Sequence, residues 1–212
     1  MLWHKSQGAG GVGAAGGGGV TEGWTADYAV LASPTAADVN AITTNGWCNI
    51  WYKRSFLRWV FTQSEMQALA EIGTATQCTI EGLRFGVTNA PAYNPPSYAI
   101  ALQNFPASTS NTYNPSTSSG WTVVKNAATE SFPVGVKTFN FDTNFTWTGG
   151  ALGISVAWGA VSNYNRSGQA YIANSGTLYY SWTDAAGTYS VTDSGPSSSR
   201  AWRPICQFYV SS

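Results

Sequence analysis

Charge is what this sequence has least of. Lys and Arg number 10 and Asp and Glu 10 among 212 residues, so charged residues are 9% of the chain, against roughly 25% in an average soluble domain. Net charge is zero, and Lys and Arg form no dense run. Phosphate binding grows with the number of charges neutralised, so a nucleic-acid partner is not expected. The most basic stretch, Lys53-Arg54-Ser55-Phe56-Leu57-Arg58, reads as a solvated strand face. The chain has a single histidine, His4. A Ser-His-Asp or Cys-His site would have to recruit it from beside a glycine-rich tail, which cannot hold the required geometry. Cys48, Cys78 and Cys206 match no zinc spacing, so no metal site is expected. Three buried free thiols is the simpler reading of them, and one disulfide with one free thiol the alternative. No apolar run reaches the roughly 18 residues of a transmembrane helix. The start Met1-Leu2-Trp3-His4-Lys5 leads into glycine where an export signal would carry its apolar region, so no export leader is expected.

Aromatics, by contrast, make up 14% of the chain, with 10 Trp and 11 Tyr. The polar surface must then come from Ser, Thr, Asn, Gln and Gly, a composition suited to an extracellular or virion-borne β protein. Residues 8–19 read GAGGVGAAGGGG, eight glycines in twelve positions, which buries no apolar face and behaves as a flexible tether. Gly8 to Gly13 matches G-x-G-x-x-G formally. The dinucleotide fingerprint needs a strand before it and a helix after it; here seven residues precede the match and more glycine follows, so no cofactor is expected. Met1, Leu2 and Trp3 form an apolar tip that would dock into a partner. The chain divides into a docking tether (1–20), a connecting segment (21–46) and a β domain (47–212).

From Trp47 onward the pattern is β. Residues 50–61 are dense in aromatic and branched side chains. Thr62-Gln63-Ser64-Glu65 is a capping box; Met66, Leu69, Ala70 and Ile72 follow as an apolar stripe and Gly73 as a stop. A helix of about ten residues is expected there. Strand-like runs recur near 78–88, 97–104, 121–125, 136–141, 151–158, 169–173, 177–182, 188–192 and 203–210. In 98–102 and 153–158 residues alternate as in strands with one buried face. Residues 104–120 read as a long exposed loop and 193–199 as a shorter one. Many short strands and one short helix predict an all-β, two-sheet antiparallel β-sandwich of jelly-roll type, with a glycine-rich N-terminal tail.

No pair of carboxylates has diagnostic spacing. Glu65 belongs to the cap, and Asp184 and Asp193 lie in turn contexts; Glu81 and Asp142, within or beside strands, are the least explained. No catalytic residue is assigned. Trp121, Trp147, Trp158 and Trp182 fall on or beside strands and read as core. Tyr93, Tyr113 and Tyr164 lie in polar loops with Asn and Pro, where a rigid aromatic gives contact area at low entropy cost. They are the candidates for ligand or subunit contacts.

Thr79-Ile80-Glu81-Gly82-Leu83-Arg84-Phe85, Tyr98 to Leu102, Gly120 to Val124, Phe139 to Trp147, Ala151 to Val156 and Arg203-Pro204-Ile205 succeed one another in a recognisable order. The progression, over residues 47–210, resembles the jelly-roll modules of surface proteins of Bacteroidetes-type bacteria. That resemblance implies non-catalytic adhesion or carbohydrate binding. The layout of apolar tip, glycine tether and β domain resembles minor structural proteins of tailed bacteriophages. The leading expectation is a non-enzymatic virion protein, a tail, fibre or capsid-decoration component. Its partners would be other virion proteins, copies of itself in a homo-oligomer, and host surface glycan. A bacterial cell-surface adhesion or carbohydrate-binding module is the alternative and a glycoside hydrolase the third reading.

Overall fold

The computed structural model describes residues 19–25, 53–160, 169, 170, 172, 173 and 176–212. Met1, Leu2, Trp3, most of the glycine tether, Cys48 and Tyr164 lie outside the described residues. The chain runs β1 (Gly23–Trp24), β2 (Arg54–Phe61), α1 (Gln63–Gln67), β3 (Cys78–Asn89) and β4 (Pro96–Phe105). It continues through β5 (Thr122–Thr129), β6 (Gly135–Trp147), β7 (Ala151–Trp158), β8 (Gln169–Ala170) and β9 (Ile172–Ala173). The last strands are β10 (Leu178–Thr183), β11 (Ser198–Arg200), β12 (Arg203–Pro204) and β13 (Gln207–Ser211).

Two antiparallel sheets pack as a sandwich with one short helix, as the sequence predicts. One sheet has the order β1-β13-β3-β6, with β8 pairing the far end of β3; the other is β11-β10-β2-β7-β4-β5. β9 and β12 form a separate short pair. Between the sheets lies the main core, with Trp59, Trp147, Trp158, Tyr98, Phe85 and Phe139 among its largest side chains. Cys78 and Cys206 are free thiols in it. Burial pushes the Cys78 thiol up to about 11 and raises Cys206 further, so neither is a ready thiolate nucleophile.

The capping box forms as read. Thr62 Oγ1 accepts from the Glu65 amide at 3.2 Å, and Glu65 Oε2 accepts from the Thr62 amide at 2.7 Å. The α-helix nevertheless spans five residues rather than ten. Beyond it, Leu69 N donates to Met66 O, Ile72 N to Leu69 O and Ala75 N to Ile72 O. Met66, Leu69 and Ile72, all buried, are spaced by three. That spacing brings the three side chains into line where the chain tightens toward three residues per turn. Gly73 stops the run with φ at +53°.

Three further expectations are corrected. Strands 98–102 and 153–158 were expected to bury one face; β7 is buried at every position. Its large residues Leu152, Ile154, Val156 and Trp158 face the main core, and Ala151 and Ala157 belong to a second cluster with Phe56, Val60, Ala101, Phe105, Trp121 and Val191. The alternation is therefore one of size: the small side makes room for loops that lie on the outer face of the sheet. Residues 188–192 form no strand beyond a bridge from Thr188 to Gly159; they are part of that loop cover, and the edge strand β11 starts at Ser198. The run 203–210 is broken at Ile205 and Cys206 into β12 and β13.

Lys53 to Arg58 is not a solvated face. Arg58 is fully buried on β2, and its guanidinium meets five oxygens. Nε donates to Ser155 Oγ (3.2 Å), Nη1 to the carbonyls of Pro115 (2.6 Å) and Thr117 (2.8 Å), and Nη2 to those of Val191 (2.8 Å) and Asp193 (2.9 Å). Five acceptors match the five N–H groups of arginine. The Phe56 and Trp121 rings each lie 4.5 Å from the guanidinium carbon, a cation–π arrangement. Burial lowers the Arg58 pKa to about 10, opposed by the nearby Asp193 charge, so it stays a cation at neutral pH. Arg58 thus pins two segments, 106–121 and 184–197, over the six-stranded sheet.

Candidate functional site

Among the described residues, the loops are pinned to the six-stranded sheet, and the outer face of the four-stranded sheet is the open one. A row of paired residues crosses it: Trp24 on β1 opposes Tyr209 on β13, Tyr209 opposes Gly82 on β3, and Gly82 opposes Asn140 on β6. Because side chains alternate along a strand, this row presents two aromatics and an amide on one face, with a gap at the glycine. The Trp24 and Tyr209 rings meet edge to face at 5.4 Å.

Gly82 is required by space. A Cβ built there would lie 2.7 Å from the backbone oxygen of Phe139 and 3.5 Å from the Trp24 ring. The carbonyl is held in the β3–β6 ladder and cannot move aside. Gly82→Ala should therefore destabilise the protein by about 1–3 kcal/mol, the range for overpacking, measured as the shift of the urea midpoint. An unchanged midpoint would show that the strands separate freely at this position.

Beside the row, β6 departs from its ladder. Ile80 pairs with Phe145 and Gly82 with Asn140, so Glu81 alone faces the four residues 141–144. Extra residues on one strand bend it outward and re-aim side chains. The bulge is anchored across the edge of the sandwich, where Asp142 Oδ1 accepts from Lys125 Nζ at 2.6 Å and Oδ2 from the Asn126 amide at 3.0 Å. These bonds hold the Asp142 carboxyl below its ordinary range. A groove of about 330 Å³ opens at the bulge, lined by Glu81, Asn140, Phe141, Asn144 and Tyr209.

The neighbouring charges are largely committed. Arg84 Nε donates to Gln207 Oε1 at 2.7 Å and its guanidinium covers the Trp24 ring at 4.5 Å. Tyr209 Oη donates to Glu22 Oε1 at 3.0 Å, and that bond and charge raise the Tyr209 pKa. Glu81 Oε1 accepts from Ser211 Oγ. The groove thus presents aromatic surface, two planar amides and one carboxylate.

No family model, curated protein or solved structure matches the chain. Among the described residues no group of three His, Cys, Asp or Glu side chains is placed to hold a metal ion, and no helix is long and apolar enough to cross a membrane.

Of the sequence candidates, Tyr93 and Tyr113 are exposed, at 42% and 40%, but they do not share a site. Tyr93 precedes and Tyr113 follows the ten-residue strand β4, which spans about 33 Å. Tyr113 also packs its ring edge on Phe105 at 5.5 Å, so it partly closes the second cluster. Trp147 and Trp158 lie in the main core, Trp182 packs against it, and Trp121 stacks on Arg58 in the second cluster. Trp24, Tyr209, Asn140 and Asn144 are not among the ligand-contact candidates that the sequence offers. The available signal was Glu81-Gly82, an acid and a glycine inside an otherwise apolar strand, where glycine marks a bulge or a close approach.

Proposed function

We propose that this protein is a non-enzymatic structural component of a tailed-phage virion, with its sandwich facing outward and binding host surface glycan. The observation that carries the binding half is the open face of the four-stranded sheet, where an aromatic and amide row borders a groove. The particle half is supported by the low-charge aromatic composition and the tether-like segment 8–19. The third reading, glycoside hydrolysis, ordinarily needs two carboxylates flanking one bond. Glu81 is the carboxylate lining this groove, while Asp142 is engaged by Lys125 and Asn126.

The test is immunogold electron microscopy on the native source with antibody against residues 47–212. Label on virus-like particles is the expected result, and it would also show which part of the particle carries the protein. Label on cell envelopes, with bare particles, would overturn the virion reading in favour of a bacterial surface adhesion or carbohydrate-binding module. The order of apolar strand segments along the chain favours that second reading.

A further inference from the structure

Resting on the glycan-binding reading above, we infer that the groove at the β6 bulge binds an uncharged pyranose and discriminates against sialylated and uronic-acid glycans. The lining fits a sugar in kind. A pyranose has an apolar C–H face and a rim of hydroxyls. Tyr209 and Phe141 supply aromatic surface for the former. Asn140 and Asn144 each offer a donor and an acceptor for the latter, and Glu81 adds an acceptor. A volume of about 330 Å³ lies at the lower end of the range for small-ligand sites.

Charge sets the class. An anionic sugar needs a cation at the groove, because the amide N–H donors of Asn140 and Asn144 serve a hydroxyl as well as a carboxylate and do not offset the charge of Glu81. The cations nearby are committed: Arg84 is turned onto Trp24 and bonded to Gln207, and Lys125 is paired with Asp142. Glu81 lines the groove, and Glu22 stands behind Tyr209 with its carboxylate on the phenol oxygen. A sugar carboxylate entering here would meet two like charges and no available counter-charge, and like-charge juxtaposition at an interface excludes wrong partners strongly. Hydroxyl groups, by contrast, can donate to Glu81 and to the amide oxygens. The bulge keeps Asn144 at the rim, through the Asp142 bonds to β5.

The test uses the full chain on an array of uncharged oligosaccharides, each printed beside a sialylated or uronic-acid counterpart. Signal should fall on the uncharged members. Asn144→Ala and Tyr209→Ala should each weaken it about tenfold or more, the loss of a central contact side chain, with an unchanged far-UV circular dichroism spectrum. Asn144 is exposed, so its truncation leaves the fold intact even if Tyr209→Ala does not. Binding to acidic glycans, or to any glycan with both variants unaffected, would place recognition elsewhere and overturn this inference while the glycan reading stands. Silence across the whole array would overturn both.

Discussion

Arg58→Ala should destabilise the protein by about 4 kcal/mol, the combined effect of buried acceptors left unpaired and of packing lost between two aromatic rings. The substitution deletes five hydrogen bonds at once. It leaves a hole between Phe56 and Trp121 faced by four carbonyls: Thr117 keeps the Trp121 Nε1 donor and Val191 the Ser155 Oγ donor, while Pro115 and Asp193 lose the guanidinium N–H. A buried acceptor without a partner costs about 1–3 kcal/mol, and water entering the space would recover part of that. Arg58→Lys should fall between the two, because an ammonium has three donors and no planar fork. The readouts are the urea midpoint and limited proteolysis. Cleavage should concentrate in 106–121 and 184–197, since those segments lose a shared anchor. A variant with wild-type stability and no new cleavage would show that the loops are held by their own contacts.

The second large effect is expected at Glu65, where three structural jobs meet in one carboxylate. It completes the capping box at Thr62, accepts from Asn111 in the long loop, and pairs with the fully buried Arg203. Arg203 also donates to the Val60 carbonyl and lies over Phe61, 4.3 Å from the ring centre. Glu65→Ala should cost about 3–5 kcal/mol, because it leaves a buried guanidinium without its counter-ion. The same group gives the fold an acid sensitivity. Burial alone would raise the Glu65 pKa, but the hydrogen bond and charge of Arg203, with Thr62 and Asn111, bring it below its ordinary 4.5. A carboxylate depressed in the folded state binds fewer protons there than in the unfolded chain. Its stabilising contribution is therefore complete above pH 4.5 and is lost as pH falls through the folded value. Glu65→Gln keeps the shape and removes the titration. Stability of the wild type should decline more steeply than that of Glu65→Gln below about pH 5. Parallel curves would assign the acid sensitivity to other groups.

Both effects concern arginines whose role is invisible in sequence. Lys53 to Arg58 reads as solvated because charged side chains are mostly exposed. Nothing in the neighbouring residues announces that carbonyls from two segments, 57 and 133 positions away at Pro115 and Val191, will converge on Arg58. Arg203 is likewise read as part of a strand, while its counter-ion sits 138 positions earlier in the cap. The capping box was legible because it is a local contract among four consecutive residues. The helix length was not, because the spacing of Met66, Leu69 and Ile72 decides between two kinds of turn only when there is a core to face.

The groove divides in the same way. A bulge near Gly82 has a local signal, but the partners in its row come from β1, β13 and β6, and Tyr209 lies 127 positions from Gly82. Tyr93 and Tyr113 were attractive for being aromatic in polar loops. β4 holds them at its opposite ends.

By itself the sequence determined the class of the molecule: an all-β sandwich with one capped helix, poor in charge and rich in aromatics. Those properties follow from periodicity, turn chemistry and composition, which act over a few residues. Only the tertiary structure decided which faces of the strands are sealed and which is open. Both faces of β7 alternate in size alike whether water or a loop lies beyond the small side. The difference is made by segments that are distant in the chain and brought together by strand pairing, with Arg58 fixing them in place.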